Sequence, residues 1–379
     1  MFATVLLIVV VVAFAWNLGV HYTGAVMGMP FATRSIAEWP ALALIGILTI
    51  LGATFASGKV QTTVGQNIIS AQVARISDAI VIVLAAGILT MLYNYWKIPT
   101  STIQILVFCV VGVGLAGNIP IHWDTIGKLV IVWLLAPLAA FALGFTFTRL
   151  LDLLVPPRVS HALAETQISQ APREMQQGAP TAQRSWLGRL LPGVALAWKL
   201  SPTLAQTLAQ TASRATYATL IALRLLPALL VAVGVFASFV LGANDVANAT
   251  GALILANLFP LTIAGLIGGL AMAVGTLTWG RRILHTVAFD VVKMDLTMAS
   301  AAQGVQALVV IIAVTQGFFT SMNQALIGAM AGAGFARGRE TVQRKQILSI
   351  LRGWAFGPLS GLILAFALEW LTRLAFASR

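Results

Sequence analysis

Ten apolar stretches run through this chain. They lie at about residues 2–30, 41–56, 77–95, 101–117 and 129–151, and again at about 220–241, 249–277, 305–319, 324–336 and 347–376. Each approaches the ~20 residues that a helix needs to cross a bilayer, or falls somewhat short of it. Only 9% of the 379 residues are charged and 59% are hydrophobic, where a soluble domain carries roughly a quarter charged residues. One globular core cannot hide that much apolar side chain, so most of it must face lipid or other lipid-embedded helices. The reading is an all-α polytopic membrane protein. The first stretch, from Phe2, has no positive n-region and no small-residue cleavage site and continues through Gly19 to Pro30, which reads as a retained membrane helix rather than a signal peptide. The single cysteine, Cys109, lies inside an apolar run, which leaves no disulfide framework and no thiol-rich metal site.

The chain repeats itself. FAWNLGVHYTGAVMG (Phe14–Gly28) aligns with FASFVLGANDVANATG (Phe236–Gly251), placing Gly19 on Gly242 and Gly28 on Gly251 at an offset of 223 residues. GATFASGKVQTTV from Gly52 aligns with GTLTWGRRILHTV from Gly275, and TSTIQ from Thr100 with TSMNQ from Thr320 at an offset of 220. WLLAPL at Trp133 meets WAFGPL at Trp354 in the same order. Three segments result: a transmembrane repeat over 1–152, a basic connecting region over 153–219, and a second transmembrane repeat over 220–379. Within the connecting region, Ser185 to Lys199 mixes Trp, Leu and cations as a segment lying at the lipid interface does.

Five principal apolar stretches per half is an odd number of crossings, so the two halves are expected to be inverted relative to each other. The formal charge of +12 fits this arrangement. In a soluble protein such an excess suggests nucleic acid; here it reads as topology, and no nucleic-acid partner is expected. With the connecting region in the cytoplasm, its cations join Arg34, Lys97, Arg149, Arg281, Arg282, Lys293, Arg337, Arg339, Arg344, Lys345 and Arg352 inside, leaving Lys59, Arg75, Lys128, Arg373 and Arg379 outside. The expected location is the inner (plasma) membrane, multi-pass, with both termini outside.

Three features carry chemistry. LGANDVANATG (Leu241–Gly251) sets Asn244, Asp245 and Asn248 inside an apolar run, where an ionised Asp is costly unless it binds something, although it could also serve only to cap a half-helix. KIPTSTIQ (Lys97–Gln104) and FFTSMNQ (Phe318–Gln324) each set hydroxyls and amides at the start of a short Gly-rich helix. Free backbone N–H groups and the positive end of the dipole make such a start a site for an oxyanion, and ordinary capping by Ser or Thr is the plainer role. The third feature is GKVQTT (Gly58–Thr63) over GRRILHT (Gly280–Thr286), a cation followed by hydroxyls and His285, read either as interfacial anchoring or as a vestibule. No P-loop, HExxH or GxSxG is present, and an enzyme is not expected.

GANDVANATG, then TWGRRILHTV, then a Thr-Ser hairpin opening into a Gly-rich helix, resembles the signature of the inorganic phosphate transporter family, over nearly all of both halves. The resemblance implies a secondary transporter of two inverted-topology repeats, with broken helices and re-entrant hairpins, holding an oxyanion between two hairpin tips and two broken-helix motifs. The first half departs from that pattern: His21 stands for Asn, Tyr22 for Asp and Ala25 for the second Asn, and FTSMNQ replaces a His-bearing hairpin. This half-degenerate form is similar to the sulfate permease branch related to the family. Phosphate near neutral pH keeps a proton that it can donate to a carboxylate, whereas sulfate only accepts, so a sulfate site should carry fewer carboxylates.

The resulting expectation is a secondary active permease importing a tetrahedral oxyanion by alternating access, coupled to protons or sodium. Sulfate is favoured, a phosphate symporter is the alternative, and a passive anion channel ranks third. Anion contacts are expected from Thr100, Ser101, Thr102, Thr320, Ser321 and Asn323, with Gln104, Gln324 and Asn17 close by. Asn244, Asp245 and Asn248, with His21 and His285, are the candidates for the coupling ion or proton, with sodium at Asp245 and no other metal or cofactor. The bilayer is a partner, and a homodimer is left open.

Overall fold

The computed structural model describes residues 1–96, 100–157, 160–161, 186–192, 194–195, 217–284, 294–338 and 344–377. Most of the connecting region therefore lies outside the described residues, as do Lys97, Pro99 and His285. In lipid every backbone donor and acceptor must be paired within the protein, so apolar segments become helices. The first half consists of α1 (Phe2–Ala32), α2 (Glu38–Phe55), α3 (Gly58–Thr62), α4 (Ile76–Tyr95), α5 (Thr102–Gly117) and α6 (Trp123–Leu154). A five-residue helix, α7 (Trp186–Leu190), is followed by the second half: α8 (Tyr217–Asp245), α9 (Ala247–Leu255), α10 (Leu261–Gly275), α11 (Leu296–Thr315), α12 (Met322–Arg337) and α13 (Arg344–Ala377). π-helical turns follow α3 at Thr63–Asn67 and α10 at Thr276–Gly280.

Eight helical spans among the described residues are long and apolar enough to cross a membrane, α8 and α9 counting as one. The elements depart from the sequence pattern in places that have physical causes. The stretch expected over 249–277 is two helices, because α9 ends at a turn containing Asn257 in the left-handed region and α10 begins after Pro260. α11 starts nine residues ahead of the expected apolar run, because the Asp295 carboxylate caps it by accepting from the Met298 N–H at 3.0 Å. α5 and α12 have 16 residues each, about 24 Å of helix, too short to cross a ~30 Å hydrocarbon core alone.

Packing exchanges elements between the halves. α5 lies chiefly against α13, and α12 chiefly against α6, while α2 packs on α8 and α10, and α1 on α10. Small residues allow these close approaches, as they do in membrane helix pairs generally. A Cβ on Gly19 would strike the Met272 carbonyl, and one on Gly242 the Thr49 carbonyl; a Cβ on Gly52 would strike the Phe239 carbonyl, and one on Gly275 the Trp16 carbonyl. Both members of each pair of contacts are related by the 223-residue offset of the sequence repeat.

Candidate functional site

The helix broken at Asp245 is the centre of the molecule. α8 ends at Asp245, Val246 forms a turn, and α9 resumes at Ala247. Asn244, Asp245 and Asn248 are all fully buried. The matching stretch of α1 stays helical through His21 and Tyr22, with the Thr23 hydroxyl bonded back to the Gly19 carbonyl at 2.8 Å. The duplicated motif thus breaks in one half and not in the other.

Both hairpin tips reach this break. Asn244 Nδ2 donates to the Asp245 carboxylate at 2.9 Å and to the Thr320 carbonyl at 2.9 Å, and Asn244 Oδ1 accepts from the Thr320 N–H at 3.3 Å. From the other side, Asn248 Nδ2 donates to Thr102 Oγ1 at 3.4 Å, and Thr102 Oγ1 shares a 2.6 Å hydrogen bond with the Tyr22 hydroxyl. Tyr22 is fully buried and lies against the Asp245 carboxylate. A polar chain therefore joins Thr102 at the first tip to Thr320 at the second.

The two tips also touch each other. Gln104 Nε2 donates to Gln324 Oε1 at 3.4 Å, and Gln324 Nε2 returns a bond to Gln104 Oε1 at 3.2 Å, a reciprocal pair at an offset of 220. Ser101 and Ser321 act as helix caps, each accepting from the backbone N–H of Gln104 or Gln324 at 3.3 Å. The second tip is fixed by Trp133, whose Nε1 donates to the Phe319 carbonyl at 3.0 Å, and by a turn at Gly317 with φ of 78° whose carbonyl accepts from Thr63. Thr100 is buried against α13 near Gly357.

A second polar chain runs beside the first. Asn323 Nδ2 lies 3.1 Å from His21 Nε2, His21 Nδ1 lies 2.5 Å from Asn94 Oδ1, and Asn94 Nδ2 donates to Asn17 Oδ1 at 3.3 Å. Asn17, His21 and Asn323, expected from the sequence, are thus brought together by a residue that was not expected.

Four buried polar atoms in these two chains have no hydrogen-bond partner among the described residues: Asp245 Oδ1, Asn248 Oδ1, Thr320 Oγ1 and Asn17 Nδ2. An unpaired buried polar group costs roughly 1–3 kcal/mol, so a cluster of them marks where something else binds. A carboxylate, an amide carbonyl and a hydroxyl are the hard oxygen ligands that suit an alkali cation, and no cluster of His, Cys, Asp and Glu fit for a metal ion occurs among the described residues.

Other sequence expectations resolve differently. Lys59 Nζ donates to the Thr315 carbonyl at the end of α11, where the helix dipole favours a cation. Arg281 pairs with Glu38, and Arg282 lies 5.8 Å over the Trp279 ring. These cations anchor helix ends. Residues that sequence reasoning passed over include Asn94 and the buried amides Gln303 and Gln306, which bond the Ala25 carbonyl at 3.0 Å and the Met322 carbonyl at 3.2 Å. Two amides one helical turn apart in an apolar run were the available signal.

Helices that exchange partners between two halves, a helix broken at a buried carboxylate and paired hairpin tips together define an integral multi-pass membrane transporter, not an enzyme. The chain belongs to the phosphate transporter family, whose sequence model matches residues 18–365. It is 25% identical to the sulfate permease CysP of Bacillus subtilis (strain 168), over 94% of this chain and 84% of that one. It is also 25% identical to a putative phosphate permease of Pyrococcus furiosus, over 95% of each chain. A chloroplastic inorganic phosphate transporter of Arabidopsis thaliana is 24% identical over 94% of this chain and 70% of its own length. A solved structure titled "The sodium-dependent phosphate transporter" has the same fold, with a TM-score of 0.77, 21% identity, and coverage of 99% of this chain and 100% of that one.

Proposed function

We propose that this protein is a secondary active permease that imports an inorganic tetrahedral oxyanion by alternating access of two inverted halves, with sulfate as the first substrate. The observation that carries this reading is the convergence of both hairpin tips on the broken helix at Asp245, where buried oxygens stand unpartnered. Inversion is supported by the paired glycine contacts at one constant offset and by the exchange of α5 and α12 between halves. If α4 and α5 enter and leave on the same face, α1, α2 and α6 still give an odd number of crossings.

The anion is held by the starts of α5 and α12, by hydroxyls of Thr100, Ser101, Thr102, Thr320 and Ser321, and by the Asn323 and Asn17 amides, with Gln104 and Gln324 behind them. Asp245 and its unpartnered oxygen neighbours hold the coupling cation, sodium or a proton. The name of the solved neighbour supports sodium. Sulfate is supported by the named sulfate permease among the relatives and by the neutral phenol of Tyr22, which occupies the position equivalent to Asp245 and leaves one carboxylate at the centre. Phosphate is the second reading, favoured by the unpartnered Asp245 Oδ1, an acceptor that a protonated phosphate could satisfy, and by the phosphate permeases among the relatives. The membrane is the inner (plasma) membrane, with the connecting region cytoplasmic and both termini outside, as the cation distribution favours.

The test is uptake of labelled sulfate and labelled phosphate into proteoliposomes, with each unlabelled anion as competitor. Sulfate uptake that collapses with a protonophore or on sodium removal is the expected result. Phosphate uptake that excess sulfate does not inhibit overturns the sulfate reading, and uptake indifferent to every gradient makes the protein a passive channel.

A further inference from the structure

The chain Asn323–His21–Asn94–Asn17 has a fixed direction. Asn94 gives its N–H to Asn17 Oδ1, so its carbonyl oxygen is the atom facing His21 Nδ1, and Nδ1 must carry the proton. His21 Nε2 is then an acceptor, and the amide nitrogen of Asn323 is the group that serves it. One N–H of the amide is committed to His21, and the carbonyl oxygen, on the opposite side of the side-chain bond, faces away from the ring, an atom that repels an oxyanion.

Protonation reverses one link of this chain and leaves the others intact. A proton arriving from water forms an Nε2–H bond on His21, and Nε2 can no longer accept. The Asn323 amide turns about its side-chain bond so that Oδ1 accepts from Nε2–H, and its NH2 group now faces outward as a donor. The Nδ1–H bond to Asn94 is the same in both states. His21 and Asn323 are each only partly buried, so both proton and anion can reach them.

We propose that the Asn323 amide is a proton-set switch, turned by His21, that decides whether the start of α12 presents an oxygen or an N–H to the transported anion. Asn94 is the positioning residue that keeps Nδ1 protonated and confines the exchangeable proton to Nε2. This inference rests on the permease reading given above. Binding of the proton and of the anion are then linked, each tightening the other by the same factor.

The surroundings of His21 suit this role. Tyr22 is its aromatic neighbour at 4.7 Å in an edge contact, and Asp245 on α8 lies beyond Tyr22. On α4, Tyr93 and Tyr95 flank Asn94, the first with its hydroxyl bonded to Ser360 and the second exposed, while Asp78 at the start of the helix is paired with Arg373. Neither α9, α10, α11 nor the Thr276–Gly280 turn carries a charged residue. Arg337 stands at the far end of α12, and Glu38 at the start of α2 is paired with Arg281.

The experiment measures the affinity of labelled sulfate and labelled phosphate for the purified full chain from about pH 5 to 9, and in parallel the nitrogen NMR signals of His21. Those signals are assigned among the four histidines by comparison with His21→Gln. In the neutral form the Nδ1–H tautomer is expected, and saturating anion should raise the midpoint of His21 protonation by on the order of one pH unit, the counterpart of a tenfold linkage. Asn323→Asp, a group that only accepts, should weaken binding at every pH and abolish the gain of affinity at low pH, so that the affinity profile becomes flat. Asn94→Asp should move the midpoint of the affinity profile upward, an effect that a purely structural role for Asn94 would not produce. An Nε2–H tautomer, or an anion that binds without moving the His21 midpoint, overturns the switch and leaves the permease reading standing. If neither anion binds or is transported at any pH, the permease reading falls and the switch falls with it.

Discussion

Tyr22 and Asp245 occupy equivalent places in the two halves and face each other across the centre, one neutral and one acidic. The asymmetry sets Asp245 apart from the arginine-paired carboxylates among the described residues. Asp78, Asp152, Asp295 and Glu369 all sit against arginines at helix ends. Asp245→Asn keeps the hydrogen bond from Asn244 and the volume of the side chain, so the protein should remain folded. Accumulation of labelled anion against a gradient should fall to background in that variant, while exchange of anion for anion persists. Unchanged accumulation would remove Asp245 from the coupling step. Asp245 was legible because a lone acid between two Asn in an apolar run is costly. Asn94 was not, since a single amide near the end of an apolar helix looks like an interfacial residue until His21 is seen beside it.

At the scale of elements, each hairpin is tied at its base by one arginine and two acids. Arg337 at the end of α12 pairs with Asp152 on α6 at 2.7 Å and with Asp295 at the start of α11 at 3.0 Å. At the other hairpin, Arg373 on α13 pairs with Glu369 at 2.6 Å and with Asp78 at the start of α4 at 3.7 Å, and its guanidinium lies against Gly117 at the end of α5. Arginine and acids have exchanged helices between the two clusters, yet the same three elements are joined. Arg337→Met leaves two acids unpaired in a largely buried place and should cost about 3–5 kcal/mol. A thermal melt of the detergent-solubilised protein reads this as a marked drop in Tm, and a Tm within a degree of wild type would show that the cluster is dispensable. The helix spans themselves were largely readable from hydropathy. The ends were not, because α11 gains its first turns from the Asp295 cap and the apolar run over 249–277 breaks at Asn257 and Pro260, local geometry that outweighs mean hydropathy.

At the scale of the molecule, the proposed orientation rests on the positive charge. Among the described cations, none appears among the hydrogen-bond partners of the two central polar chains, and Lys59, Arg281, Arg337 and Arg373 serve helix ends instead. On the proposed reading, the site attracts its anion with hydroxyls, amides and helix starts rather than with fixed charge. Reporter fusions test the orientation: alkaline phosphatase joined after Arg379 should be active, and a reporter inserted in the connecting region should be active only if it folds in the cytoplasm. The opposite pattern would invert the topology drawn from the cation count.

By itself the sequence determined that the chain lives in a membrane, that its two parts resemble each other, and that Asp245 and the two Thr-Ser segments are polar groups set among apolar runs. Those conclusions rest on composition, spacing and self-similarity, which are properties of the chain read in one dimension. The tertiary structure alone decided which polar groups meet: that Gln104 pairs with Gln324, that Tyr22 fills the place opposite Asp245, and that Asn94 ties His21 to Asn17. The physical reason is that such contacts join residues tens to hundreds of positions apart. In lipid their partners are chosen by helix packing and by the cost of leaving a polar atom unpaired, not by anything written in their neighbourhood of the sequence.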